Sequence, residues 1–148
     1  MTLPPSATPE VRDRCLCFRA QRAARLLARR FDAAFRPFGL TNGQFSLMMS
    51  LNRPKPPTMG EVAPFLGMDR TSLTAALKPL ERRGLVAIAV DARDRRGRRL
   101  SLTETGRALL AEALPVWRAE HDRLDEALAA QGVEPEALRD GLGAVGAG

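Results

Sequence analysis

Apolar residues recur along most of the chain at steps of three and four, the period of a helix packed on one side. From about Pro9 to Pro37, the positions Leu16, Ala20, Ala23, Leu27, Phe31, Ala34 and Phe38 form one such stripe and predict a single long helix. Thr41, followed three residues on by Gln44, is a capping box and opens a helix whose apolar side carries Phe45, Met48, Met49 and Leu51. Pro54, Pro56 and Pro57 forbid its continuation. Thr58 with Glu61 is a second capping box and starts a short helix at Met59 that ends near Gly67. Asp69 caps the next helix, in which Leu73, Leu77 and Leu80 face inward and which Gly84 terminates. Pro79 lies well inside that helix and predicts one that survives with a bend.

The period then changes. Val86, Ile88 and Val90 alternate with Ala87 and Ala89, and Leu100 and Leu102 alternate with Arg99 and Ser101, which predicts two half-buried strands. They flank a turn, Asp91-Ala92-Arg93-Asp94-Arg95-Arg96-Gly97. Thr103 then caps a helix expected to reach about Gln131, apolar at Leu109, Leu110, Leu114, Trp117, Leu124 and Leu128 and bent at Pro115. Gly132 ends it, Pro135 to Leu142 predicts a last short helix, and Gly141 to Gly148 reads as a frayed tail. The fold class is therefore mainly α with a small β-hairpin. A helix pair followed by a basic hairpin is the outline of a winged helix-turn-helix.

Charge turns that outline toward nucleic acid. The 148 residues carry a net charge of +6, and the distribution is polarised. Residues 1–110 hold 20 basic and 9 acidic groups, a net of +11, whereas residues 111–148 hold 3 and 8, a net of −5. Five of the arginines fall between Arg93 and Arg99 at the hairpin tip, where like charges repel unless they meet a polyanion. Opposite Leu73, Leu77 and Leu80, the second helix of the pair presents Arg70, Thr71, Ser72, Thr74 and Lys78, a set of short donors and cations suited to base edges and phosphates in a major groove. An architectural DNA binder, holding phosphate without sequence choice, would present similar cations.

The matching residues lie in order along the chain: Leu40-Thr41-Asn42-Gly43-Gln44-Phe45, Asp69-Arg70-Thr71-Ser72-Leu73-Thr74, Leu80-Glu81-Arg82-Arg83-Gly84-Leu85-Val86, the turn from Asp91 to Arg96, and Leu100-Ser101-Leu102-Thr103-Glu104-Thr105-Gly106. In this sequence of motifs, over roughly residues 12–130, the chain resembles the MarR-type transcriptional regulators. The resemblance implies a homodimer with one recognition helix in a major groove and one wing in the adjacent minor groove of double-stranded DNA. It divides the chain into a flexible arm (1–9), an N-terminal dimerisation helix (10–38), a winged helix-turn-helix domain (39–102) and C-terminal dimerisation helices (103–148). Arg96 then corresponds to the wing-tip arginine and Asp94 to the partner that orients it, with Arg95 and Arg98 beside them. Release by a small aromatic acid or related anion is a further implication, and Arg19, Arg22, Phe45, Met48 and Trp117 are the residues expected to bind it.

Cys17, followed by Phe18, occupies the place where the organic-hydroperoxide-sensing branch of the family carries its reactive thiol, which makes it the redox candidate, with Cys15 two residues before it. That branch pairs its thiol with tyrosines, and this chain has none. With His121 as the one histidine, no cluster has zinc-ligand spacing, and no cofactor is expected. Neither a phosphate loop nor a nucleophile elbow is present, so an enzyme is not expected. A polar start and the lack of a long apolar run predict a cytoplasmic protein without membrane contact.

Overall fold

The computed structural model describes residues 1–146. Its helices are α1 (Ala7–Arg14), α2 (Leu16–Phe35), α3 (Asn42–Ser50), α4 (Met59–Leu66), α5 (Arg70–Arg82), α6 (Glu104–Ala129) and α7 (Pro135–Val145), with a short 3-10 turn at Arg36–Phe38. Strands β1 (Val86–Val90) and β2 (Arg98–Leu102) pair antiparallel, Val86 opposite Leu102 and Val90 opposite Arg98. No helix among the described residues is long and apolar enough to cross a membrane.

Both capping boxes form, with the Thr41 and Thr58 hydroxyls accepting from the amides of Gln44 and Glu61 and those side chains accepting in return from the threonine amides. Asp69 caps α5 through the Ser72 amide at 2.7 Å. The Ser72 amide and hydroxyl hold the Asp69 carboxyl below the usual carboxylate range, so the cap is charged at neutral pH and is lost as pH falls through that lowered value. Leu73, Leu77 and Leu80 are buried against Val62, Leu85, Val86 and Leu100, which seats α5 on α4 and on the root of the hairpin.

Three helices run through a proline without breaking: Pro64 in α4, Pro79 in α5 and Pro115 in α6. A proline leaves the carbonyl four residues earlier without its helical donor. Those residues are Gly60, Ala75 and Ala111, and all are exposed, so water can take the missing donor's place.

The N-terminal region departs from the single helix expected over Pro9 to Pro37. Helix starts earlier, at Ala7, within the stretch expected to be a flexible arm, and breaks at Cys15, whose ψ of 108° is extended. The Cys15 sulfur accepts from the Phe18 amide at 3.4 Å and so caps α2. The apolar stripe begins only at Leu16, after the break, and α1 buries no residue, so periodicity carries no information about the chain before it. The last helix is longer than expected, continuing through Gly141 and Gly143 to Val145 where a frayed tail was predicted. Ala147 and Gly148, the end of that predicted tail, lie outside the described residues.

Polar ties join separate elements of the fold. Arg30 pairs with Glu120 at 3.0 Å, joining α2 to α6. Asp32 accepts from the Asn42 amide at 2.7 Å, and Arg83 donates to the Gly39 carbonyl at 2.6 Å. At the start of α6 the Thr103 hydroxyl does two jobs, accepting from the Gly106 amide at 3.0 Å and donating to the Gly84 carbonyl at 2.6 Å. Thr103→Ala removes both bonds and is expected to cost about 1 to 2 kcal/mol in urea unfolding. Thr103→Ser keeps the hydroxyl and should recover most of the loss; equal losses in the two variants would refute the hydrogen-bonding role.

Candidate nucleic-acid interface and effector cavity

Helix α5 exposes what its sequence promised. Arg70, Thr71, Thr74, Ala75 and Lys78 line one surface depression of about 320 Å³. Among the described residues, the side chains of Arg70, Thr71 and Lys78 have no hydrogen-bond partner in the chain. Arg70 also sits at the positive end of the helix dipole, where a cation is unfavourable unless an anion lies close by. Ser72 and Thr74 are partly committed, because the Ser72 hydroxyl donates to Asp69 at 2.9 Å and that of Thr74 to the Arg70 carbonyl at 2.8 Å. Each keeps its acceptor lone pairs outward.

In the wing the five arginines divide into two kinds. Arg98 folds back, donating to the carbonyls of Arg95 and Gly97, both at 3.1 Å. Arg99 pairs with Asp91 at 3.4 Å. Among the described residues the guanidinium groups of Arg93, Arg95 and Arg96 make no hydrogen bond or ion pair, and all three are exposed. Arg93 is thus as free as Arg95 and Arg96, whereas Arg98, the third arginine expected from the sequence to face DNA, is engaged within the turn.

The role expected for Asp94 needs correction. Its carboxylate accepts from the backbone amide of Arg96 at 3.0 Å and shapes the turn, while no guanidinium reaches it among the described residues. A short acid bonds most readily to the backbone amide two residues on, which is the contact Asp94 makes with Arg96. Asp91 is the carboxylate that meets an arginine. The Arg93 amide first, and Arg99 after it, hold the Asp91 carboxyl below its usual range.

An apolar cavity of about 510 Å³ lies between α3, α4 and α6, lined by Phe45, Ser46, Met49, Ser50, Phe65, Leu66, Leu114 and Trp117. Phe45 and Trp117 stack with ring centroids 6.4 Å apart, and Arg53 lies over the Phe65 ring at 5.3 Å. A second cavity of about 220 Å³ shares Met49 and Leu114 and adds Asn52 and Arg107. Of the five residues expected to bind an effector, the structure brings only Phe45 and Trp117 together here. Met48 is fully buried in the core, and Met49, one step around the helix, takes the lining position. Arg19 and Arg22 line a separate cavity with Arg12, Asp13, Phe18 and Ala23, and Arg19 donates to the Asp13 carbonyl at 3.3 Å. They belong to the exposed half of α2, remote in sequence and lining from the aromatic cavity.

The sequence model of the MarR family matches residues 38–97, the stretch from the end of the 3-10 turn after α2 to the wing tip. The transcriptional regulator MosR of M. tuberculosis, solved in complex with DNA, is 40% identical, with 89% of this chain and 93% of that one covered and a TM-score of 0.77. The chain belongs to the MarR family of transcriptional regulators. The repressor CouR, solved on a 23-mer DNA duplex, is 32% identical over 98% of this chain and 99% of that one, with a TM-score of 0.78. The activatory protein BadR of Rhodopseudomonas palustris is 35% identical over 95 residues. The matched stretch spans about half the length of the curated MarR-type relatives, 54% of BadR. These relatives regulate transcription and are not enzymes.

Proposed function

We propose that this protein is a sequence-specific DNA-binding regulator, acting as a ligand-responsive repressor, that occupies an inverted-repeat operator as a homodimer. The observation that carries this reading is the pairing of an exposed α5 face, Arg70 to Lys78, with three wing arginines that have no partner in the chain among the described residues. Arg70, Thr71, Ser72, Thr74 and Lys78 then approach the major groove, while Arg95, Arg96 and Arg93 approach the minor groove and its phosphates. Association as a dimer is supported by apolar residues left outward on the terminal helices: Leu16, Leu26 and Leu27 on α2 and Leu138, Leu142 and Val145 on α7.

Selection from a random-sequence duplex pool at physiological salt tests this reading. An enriched inverted repeat with half-sites about one helical turn apart is the expected outcome. Retention of DNA without any enriched motif would favour the architectural alternative, and absence of retention would refute both.

The effector best matched to the aromatic cavity has a flat apolar body and an anionic end. Arg53 at the rim and Arg107 in the adjoining cavity are the cations near it, in place of Arg19 and Arg22. A CouR from Rhodococcus jostii, 23% identical to this chain, has been solved bound to p-coumaroyl-CoA. A ligand lodged between α3, α4 and α6 acts by changing the spacing of the two α5 helices in the dimer.

Redox control through Cys17 is a second reading, favoured by one observation: Cys17 is exposed and stands beside the α1–α2 break that the Cys15 sulfur caps. Peroxide treatment that lowers operator affinity in the parent but not in Cys17→Ser would support it.

A further inference from the structure

The loop between α3 and α4 is an unusual neighbour for a DNA-binding wing. Pro54, Pro56 and Pro57 hold its backbone stiff and have no N–H, so the loop offers the wing carbonyls but few donors. The wing supplies the donors. The Leu100 amide donates to the Pro57 carbonyl at 2.9 Å, and Arg99 pairs with Thr58 in an isolated antiparallel bridge. The Arg99 guanidinium donates from Nη1 to the Pro56 carbonyl at 2.9 Å while its Nε faces Asp91 at 3.4 Å. Asp91 closes the root of the turn, is only 12% exposed at its side chain, and also accepts from the Arg93 amide at 3.2 Å. The other acid near this loop, Glu61, is engaged by Thr58, whose amide donates to it at 2.7 Å. At its other end the loop is anchored by Arg53, which donates to the Ser50 carbonyl at 2.9 Å.

We propose that Arg99 is a positioning residue, which clamps Asp91 at the wing root to the Pro56 carbonyl of the proline loop and so fixes the angle at which the wing meets DNA. One planar fork spans two acceptors on different segments, a task a lysine point charge cannot reproduce. The free arginines at the tip then approach the duplex already aligned, with less ordering left to be done on binding. This inference rests on the reading that the wing contacts DNA.

Operator affinity, measured by fluorescence anisotropy on a duplex chosen by selection, separates the clamp from a plain charge effect. Asp91→Asn removes a negative charge, which by electrostatics alone would tighten DNA binding; it turns the ion pair of Oδ1 with Arg99 Nε into a neutral contact, while the same oxygen still accepts from the Arg93 amide. The clamp makes the opposite prediction, weaker binding on the order of fivefold. Arg99→Lys keeps the cation but loses the fork, and should weaken binding to a similar degree. The Asp91→Asn/Arg99→Ala double variant should lose no more than Arg99→Ala alone. Thermal unfolding midpoints should fall by no more than a few degrees, because Arg99 joins two surface segments outside the core, and affinities are compared at a temperature where every variant is folded. Asp91→Asn binding as tightly as the parent or tighter, or Arg99→Lys binding like the parent, would overturn the proposal. Arg96→Ala separates the two levels of the reading. If it weakens binding while the clamp variants do not, only the clamp fails; if it too is silent, the wing reading fails with it.

Discussion

Replacing Gly106 with alanine is expected to destabilise the protein by about 3 kcal/mol, more than any exposed substitution in the DNA-reading surface. Gly106 occupies the first turn of α6, where the helix lies directly against the chain leaving α5. A Cβ built there falls 2.0 Å from the Leu85 carbonyl oxygen and 3.0 Å from its carbon. A carbon atom tolerates a carbonyl oxygen no closer than about 3.3 Å, and the obstructing atoms are backbone, so no rotamer change relieves the clash. The helix must retreat by about an ångström. The bonds from the Thr103 amide to Leu85 (3.1 Å) and from its hydroxyl to Gly84 (2.6 Å) would stretch with it. Urea unfolding measures the loss, and an unchanged midpoint would show that the close approach is not real. Gly60→Ala in α4 is the matched control. Its Cβ would meet only the Thr58 hydroxyl oxygen at 3.8 Å, and the lower helix propensity of glycine predicts a gain of up to about 1 kcal/mol.

Arg96→Ala is expected to weaken operator binding by about 1 to 3 kcal/mol while leaving the unfolding midpoint where it was. The second half follows from geometry: the Arg96 side chain is exposed and, among the described residues, has no partner, so the free protein loses nothing with it. If Arg96 meets phosphate, the slope of log affinity against log salt should fall by about one per subunit. Arg98→Ala is the instructive comparison, because that guanidinium is already spent on the carbonyls of Arg95 and Gly97. Its loss should disturb the turn more than the charge contact and give a smaller change in salt slope. Equal affinity of Arg96→Ala and parent protein for the operator would remove Arg96 from the interface.

The helix boundaries in the DNA-reading unit were legible because each is set by residues within one turn of it. Thr41 and Gln44, and Thr58 and Glu61, satisfy one another's amides, and Asp69 accepts from both the amide and the hydroxyl of Ser72. The break at Cys15 was not legible, since cysteine is not among the usual helix-capping residues and the apolar stripe starts only at Leu16, beyond it. Nor was the reach of α7, where Gly141 and Gly143 lower helix propensity without abolishing the helix.

The sites show the same division. The outward side of α5 could be read from sequence because the leucines that bury one face of a helix determine the other. The wing was harder: five arginines on one short turn look alike in a sequence. Which of them is free depends on where the Pro56 carbonyl and the Asp91 carboxylate stand in space. The effector cavity was the least legible, because its walls come from three helices and its membership turns on helical phase, Met49 rather than Met48.

By itself, then, the sequence determined the order and type of the elements, the inward leucines of α5, the basic wing and the family likeness. All of these depend on spacing within a few residues or on total charge. Only the tertiary structure decided that Asp94 shapes a turn while Asp91 holds an arginine, that Arg93 joins the free cations, that Gly106 must lack a side chain, and that Arg19 and Arg22 stand apart from the aromatic cavity. For Gly106 and for Arg19 and Arg22 the reason is the distance between segments far apart in the chain, set by how the helices pack; within the wing it is the path of the turn, which decides which of several like charges reaches an acid.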